Sequence, residues 1–233
     1  MKISRVIIMV LAMAAIANGS TVVWSDGFES GNFSGWNAGT AGTTPSVVTS
    51  GDGGALLPHS GNDMMVLGDA PFGYGLVQNN LSAPVSGATF TGYIARSSVL
   101  TQNPAQLVGF WVGASSGQSL FVQVDNTGAV LYRYGGDTQE TGVTLAAGEW
   151  LKASVYAGPE GALISINDVA YPPAFSPYWD AAFDIKGAWA GSGWGNAGGQ
   201  WYYDDCSVTV VPEPTTIALL GLGVVSLLRR KKV

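Results

Sequence analysis

The sequence predicts an all-β protein of antiparallel strands, a sandwich or a barrel, and three observations carry the prediction. Glycine is abundant, 33 of 233 residues, and together with Asn, Asp, Ser and Pro it cuts the chain into short segments. Within those segments apolar residues alternate with period two, the spacing that puts every second side chain on one face of a strand. Between residues 20 and 210 no stretch sustains a helical period, so no helix is expected there.

Along the chain the clearest strands fall at residues 21–24, 47–49, 64–67, 107–112, 120–125, 129–134, 150–157, 163–167, 187–189 and 201–210. Leu120, Val122 and Val124 face one way while Phe121, Gln123 and Asp125 face the other. Asn126, Thr127 and Gly128 then tolerate positive φ, which makes a hairpin into residues 129–134. A second hairpin is expected where Gly158, Pro159, Glu160 and Gly161 join residues 150–157 to 162–166, with Leu151, Ala153, Val155 and Ala157 forming its apolar side. Asn167 and Asp168 turn the chain toward residues 169–171, before a proline-bearing loop at 172–177.

Both ends read as addresses rather than as parts of the fold. Lys2 and Arg5 precede an unbroken apolar run at residues 6–16, and small residues follow, which is the layout of a secretory signal. Residues 1–19 are assigned to it, and the mature chain is expected to begin near Asn18 or Ser20. At the other end Pro212, Glu213 and Pro214 precede an apolar stretch at 215–228, and Arg229, Arg230, Lys231 and Lys232 follow at once. As a helix that stretch would cover about 21 Å against a hydrocarbon core of roughly 30 Å, which is short for a lasting span. Basic residues stay on the cytoplasmic side, so the domain lies outside.

The order Pro-Glu-Pro, hydrophobic segment, basic cluster resembles the PEP-CTERM sorting signal of Gram-negative bacteria over residues 211–233. That resemblance implies a hydrophobic sorting helix, transient anchoring in the inner membrane, and processing by an exosortase-type membrane protease near Pro212, Glu213 and Pro214. An ordinary tail anchor is the alternative. Either way the chain is expected to be exported to the cell surface or the extracellular matrix.

With the two ends set aside, Arg96, Arg133, Lys152 and Lys186 face sixteen acidic residues, a net charge of −12 for residues 21–214. Such a surface repels phosphate backbones and anionic lipid, so nucleic-acid binding is excluded and neutral polymers or cations are the plausible partners. Cys206 is the only cysteine and has no disulfide partner in the chain; among β-forming neighbours it reads as a small buried hydrophobe.

Two segments of the domain, residues 20–210, carry a second resemblance. Asp26-Gly27-Phe28-Glu29-Ser30-Gly31 with Gly35-Trp36 is similar to the opening of secreted jelly-roll domains, and residues 202–208 are similar to their closing strand. Gly148-Glu149-Trp150, followed by two strands, is similar to the centre of concanavalin A-like lectin/glucanase and laminin-G-like domains. The resemblance implies an antiparallel jelly-roll β-sandwich whose first and last strands are neighbours. That would bring Glu29 near Asp204 or Asp205, where similar carbohydrate-binding modules hold a structural calcium. Oxygen ligands suit that ion.

Glycan-binding modules present flat aromatic rings to sugar C–H faces, with amides or carboxylates nearby for the hydroxyls. Tyr178, Trp179, Trp189, Trp194 and Asn196 are the candidates, because they sit in or beside the loops 172–180 and 191–199. Trp24, Trp36, Trp111 and Trp150 are expected in the core. Catalysis finds little support: His59 is the one histidine, and the E-x-D-x-x-E pattern of glucanases of the similar fold is absent. The expectation is therefore a non-catalytic, exported protein that binds extracellular polysaccharide. The alternatives are a structural matrix protein without a ligand site, or a polysaccharide hydrolase or lyase.

Overall fold

The computed structural model describes residues 20–36, 40–41, 45–67, 74–85, 87–97, 107–114, 119–125, 127–134, 137–158, 161–171, 185–194 and 200–210. They form two antiparallel sheets packed face to face. Sheet A contains β1 (Thr21–Asp26), β3 (Ser46–Val48), β4 (Met64–Leu67), β6 (Ala88–Arg96), β11 (Trp150–Gly158), β12 (Gly161–Ile166), β13 (Val169–Tyr171) and β15 (Trp201–Val210). Its order is β13-β12-β11-β6-β15-β4-β3, and β1 pairs with the second half of β15. Sheet B contains β2 (Thr40–Ala41), β5 (Tyr74–Val85), β7 (Leu107–Ala114), β8 (Ser119–Val124), β9 (Ala129–Tyr134), β10 (Asp137–Thr144) and β14 (Ile185–Trp194), in the order β10-β9-β8-β7-β14-β5-β2.

The core lies between the sheets, and the period-two pattern puts it there. Leu120, Val122 and Val124 of β8 and Ala188 and Ala190 of β14 meet Leu151, Ala153 and Val155 of β11 and Phe90 and Ile94 of β6 in one buried cluster. Cys206 is buried in the same cluster, as its neighbours suggest. A smaller cluster covers the other face of sheet A: Leu56, Met64, Val66, Ala95 and Tyr202 pack beneath the loop that follows β3, with Trp150 against them.

The anticipated turns are present. Asp125 Oδ1 accepts hydrogen bonds from the backbone N–H groups of Thr127 (2.8 Å) and Ala129 (2.9 Å), and Gly128 takes φ 90°, so the β8–β9 hairpin is held by its own first residue. Gly158 pairs with Gly161 across the β11–β12 hairpin. Asn167 and Asp168 both adopt positive φ, 48° and 65°, between the paired residues Ile166 and Val169, which is the two-residue turn whose twist suits a hairpin.

Strand β15 carries an irregularity that matters for the site. Asp205 has φ 47°, and the pairing with β6 slips by one residue between Asp204 and Ser207. That bulge resets the alternation: Trp201 and Tyr203 face the main core before it, and Cys206 and Val208 face the same core after it. Without the extra residue, Cys206 would point away from the interior. Asp204 and Asp205 sit at this step.

Strands β5, β6 and β10 are not anticipated from the sequence, and β14 runs further at both ends than residues 187–189. The signal segment 1–19 and the sorting segment, with Pro212, Glu213, Pro214, Arg229 and Arg230, lie outside the described residues.

Candidate functional site

Two places collect functional side chains: one corner of sheet A, and the outer face of sheet B. The corner is built from the chain's opening motif. Asp26 ends β1, where its Oδ1 accepts the Phe28 N–H at 2.7 Å and its Oδ2 accepts the Trp36 Nε1–H at 2.6 Å. Phe28, held at φ 62° and fully buried, then stacks on Trp36 with ring centroids 5.9 Å apart, and Trp24 meets Trp36 edge-on at 4.4 Å. One carboxylate thus fixes an aromatic plug that closes this end of the sandwich, and Glu29 follows it outward.

Residues 59–63 receive the carboxylates of Glu29, Asp204 and Asp205. Glu29 Oε1 accepts from the backbone N–H groups of Asn62 (2.8 Å) and Asp63 (3.0 Å), and those bonds hold its carboxyl below the usual range. Gly61, at φ 62°, lies directly against Glu29 Oε1, so a β-carbon there would collide with it. Asp204 Oδ2 accepts from the Ser60 N–H at 3.1 Å. Asp205 accepts from the Ser60 hydroxyl at 2.7 Å and contacts His59 Nδ1 at 2.7 Å. The His59 ring stacks on Tyr93 of β6, centroids 3.5 Å apart. The sequence singled out His59 only as an isolated histidine; nothing local links it to Asp205, 146 residues away.

The three carboxylates expected to approach one another therefore do so, around one loop. Among the described residues, however, no group of three or more His, Cys, Asp or Glu side chains is disposed to hold a metal ion, and the oxygens are engaged by protein donors.

Burial pushes the Asp204 carboxyl up to about 6, against the opposing pull of the Ser60 and Asp205 N–H groups. An unfolded aspartate ionises near 3.8, so between about pH 4 and 6 the folded chain binds the extra proton. Stability is then expected to fall as pH rises through that window, and to level off above it. Glu29 acts in the opposite sense, its contribution being lost as pH falls through its lowered value. Thermal melts from pH 4 to 7 check this: Asp204→Asn should flatten the decline, and an unaltered profile in that variant would show that another group is responsible.

The outer face of sheet B follows from register. Ala188 and Ala190 of β14 are buried in the core, so Trp189 between them belongs to the opposite face, where it is half-buried. Trp189 pairs with Trp111 on β7, Trp111 with Phe121 on β8, and Phe121 with Arg133 on β9. Directly paired residues share a face. Position 111 therefore lies on the same side of the sheet as Trp189 and Phe121, opposite Val122, Ala188 and Ala190.

The same register exposes a pattern in the sequence. Strand β7 carries Gly109-Phe110-Trp111-Val112-Gly113 and β14 carries Gly187-Ala188-Trp189-Ala190-Gly191. The strands are neighbours, and Gly187 meets Gly113, Trp189 meets Trp111, and Gly191 meets Gly109. Two tryptophan positions thus stand side by side with glycine on both sides of each. Of the other aromatic candidates, Trp194 ends β14 opposite Leu107 beyond a register shift, while Tyr178, Trp179 and Asn196 lie outside the described residues.

A further cleft, about 290 Å³, opens on the other sheet between Val48, Ser50, Asp52, Val66, Gln200 and Tyr202. The Tyr202 hydroxyl accepts from the Asp52 N–H at 2.8 Å and donates to Gln200 Oε1, so the polar groups lining it already satisfy one another.

Known proteins of similar structure share the sandwich. The chain is similar to cellulose induced protein Cip1 (TM-score 0.57, 20% identity, 79% of this chain and 96% of that one). It is also similar to an endo-1,3-beta-glucanase from Streptomyces sioyaensis (TM-score 0.57, 12% identity, 84% and 98%). A carbohydrate esterase from a Shiga toxin-encoding bacteriophage gives a TM-score of 0.54 at 16% identity, covering 83% and 100%. These likenesses establish the jelly-roll fold. No curated protein matches the chain. Residues 210–232 match the PEP-CTERM protein-sorting motif, so the chain is an exported protein whose sorting signal begins at the last residue of β15.

Proposed function

We propose that this exported jelly roll is a non-catalytic glycan-binding protein, and that its binding surface is the outer face of sheet B. One observation carries the reading: the paired Gly-x-Trp-x-Gly segments of β7 and β14, in register on that face. Indole rings offer broad apolar planes for the C–H faces of sugars. The Streptomyces glucanase and the phage esterase of similar fold are named for carbohydrate chemistry, which supports the same class of ligand. The excess of acidic residues favours a neutral polymer over an anionic one. Processing by an exosortase-type protease and delivery to surface or matrix polysaccharide belong to the same proposal.

Retention of the purified chain on immobilised neutral polysaccharides, set beside release of reducing ends from the same polymers, tests it. Retention without release is expected. A chain that passes every column unretarded is a structural protein, and one that frees oligosaccharides is an enzyme.

Calcium at the Glu29–Asp204–Asp205 corner is proposed as a stabilising ligand that would displace His59 and Ser60 from Asp205. Millimolar calcium should then raise the melting temperature and chelator lower it. An unchanged melt assigns the corner to its hydrogen bonds alone.

A further inference from the structure

The cleft beside β3 is assembled from segments far apart in the chain. Ser50 and residues 51–54 follow β3, and Gln200 stands immediately before β15, whose Tyr202 also lines the cleft. Gly51 makes that approach possible, since a β-carbon there would lie 2.3 Å from the Tyr202 ring. Four hydrogen bonds then close into a ring. The Asp52 N–H donates to the Tyr202 hydroxyl at 2.8 Å, and that hydroxyl donates to Gln200 Oε1. The buried Ser97 donates its N–H to the Gln200 backbone carbonyl at 2.9 Å and its hydroxyl to Asp52 Oδ1 at 2.8 Å.

The ring holds Gln200 by its two oxygens and engages neither N–H of its side-chain amide. A donor at Oε1 also polarises the amide, so those N–H groups become better donors. Gln200 is exposed, as are Ser50, Gly53 and Gly54, so the cleft is open to solvent where these groups stand. Val48 and Val66 line it as well, and Asp52 places one carboxylate there. Its 290 Å³ lies at the lower end of small-molecule sites, which begin at about 300 Å³, and suits one ring rather than a chain.

We propose that this cleft takes one neutral sugar unit: the Gln200 side-chain N–H groups donate to its ring or hydroxyl oxygens, while Val48 and Val66 meet its C–H groups. Asp52 repels a carboxylate in the same place, so uronate units are disfavoured. The ligand class is that of the proposed function, but the cleft belongs to sheet A and shares no residue with the Trp111–Trp189 face. Either site can hold while the other fails.

Nuclear magnetic resonance of the isotope-labelled full chain, titrated with glucose, galactose, xylose, N-acetylglucosamine and glucuronate at millimolar concentrations, tests it. At least one neutral sugar should shift the Gln200 side-chain amide and the Gly53 and Gly54 backbone amides saturably, and glucuronate should not. Gln200→Glu keeps the acceptor for Tyr202 and removes both donors, whereas Ser50→Phe fills the cleft from an exposed position. Each should weaken binding at least tenfold, read from Gly53 and Gly54, with the other backbone resonances in place. Native affinity in either variant, an equal response to glucuronate, or no response to any sugar overturns the assignment. The response should survive alanine at both Trp111 and Trp189; its loss there would move the sugar to sheet B and reject the cleft. Retention on polysaccharide without a response in the cleft rejects the cleft alone, and a response without retention supports it while rejecting the sheet B surface.

Discussion

A chain carrying alanine at both Trp111 and Trp189 should lose retention on neutral polysaccharide while keeping its melting temperature within a few degrees. Trp189 is half-buried on the face opposite Ala188 and Ala190, and the register gives position 111 the same side of the sheet. Truncating a tryptophan at the centre of a binding surface costs about 2 kcal/mol or more, roughly 30-fold in affinity for each ring. Two such losses on adjacent strands take a weak polysaccharide interaction out of the measurable range. The single variants should each retain part of the binding. If the double variant elutes with the native chain, the aromatic pair is not the contact surface, whatever else the protein binds.

The largest loss of stability should come from Phe28→Ala. Phe28 is fully buried, stacked on Trp36, and packed near Phe33 at 6.0 Å. Removing a buried phenylalanine ring costs about 3–5 kcal/mol, a large share of a typical domain's total. Alanine at φ 62° gains nothing back, because it keeps the strained backbone and loses the contacts that held it there. Chemical denaturation measured beside Asp26→Ala separates the two parts of the plug. That second variant leaves the rings in place and removes the acceptor of two hydrogen bonds, so its smaller effect, about 2 kcal/mol, reports the carboxylate alone. A Phe28→Ala chain as stable as the native one would mean that the plug does not close the sandwich.

What the sequence made legible, and what it concealed, follows from the range of each signal. The β8–β9 and β11–β12 hairpins were plain because large apolar residues alternate on both strands and the turn residues lie between them. Strand β6 alternates too, with Ala88, Phe90, Gly92 and Ile94 inward, but alanine and glycine are weak markers of a buried face. Strand β5 contains Asn79, Asn80 and Pro84, which read as a break. Strand β10 is the sheet's edge, with Thr138, Gln139 and Glu140 exposed, and an edge needs no apolar pattern.

The candidate site divides in the same way. The approach of Glu29 to Asp205 was accessible because a jelly roll makes neighbours of its first and last strands, and β1 does pair with β15. The two Gly-x-Trp-x-Gly segments are visible in the sequence, yet nothing local says that strands so far apart in the chain lie in register. Only the crossover of the chain between sheets puts β14 beside β7. Gln123 was assigned the correct side of its strand, but nothing local says that this side is closed over it, leaving the side chain 3% exposed.

Strand β15 is the last to be synthesised and sits in the middle of sheet A, with β6 on one flank and β4 and β1 on the other. The sorting motif begins at its final residue, and that residue, Val210, is paired with Thr21 at the start of β1. Sheet A can therefore be completed only once the whole domain has been synthesised, because a central strand is the last to arrive. The first and last strands thus end side by side, so that whatever grips the sorting motif grips the sandwich at the seam where its two ends are stitched together.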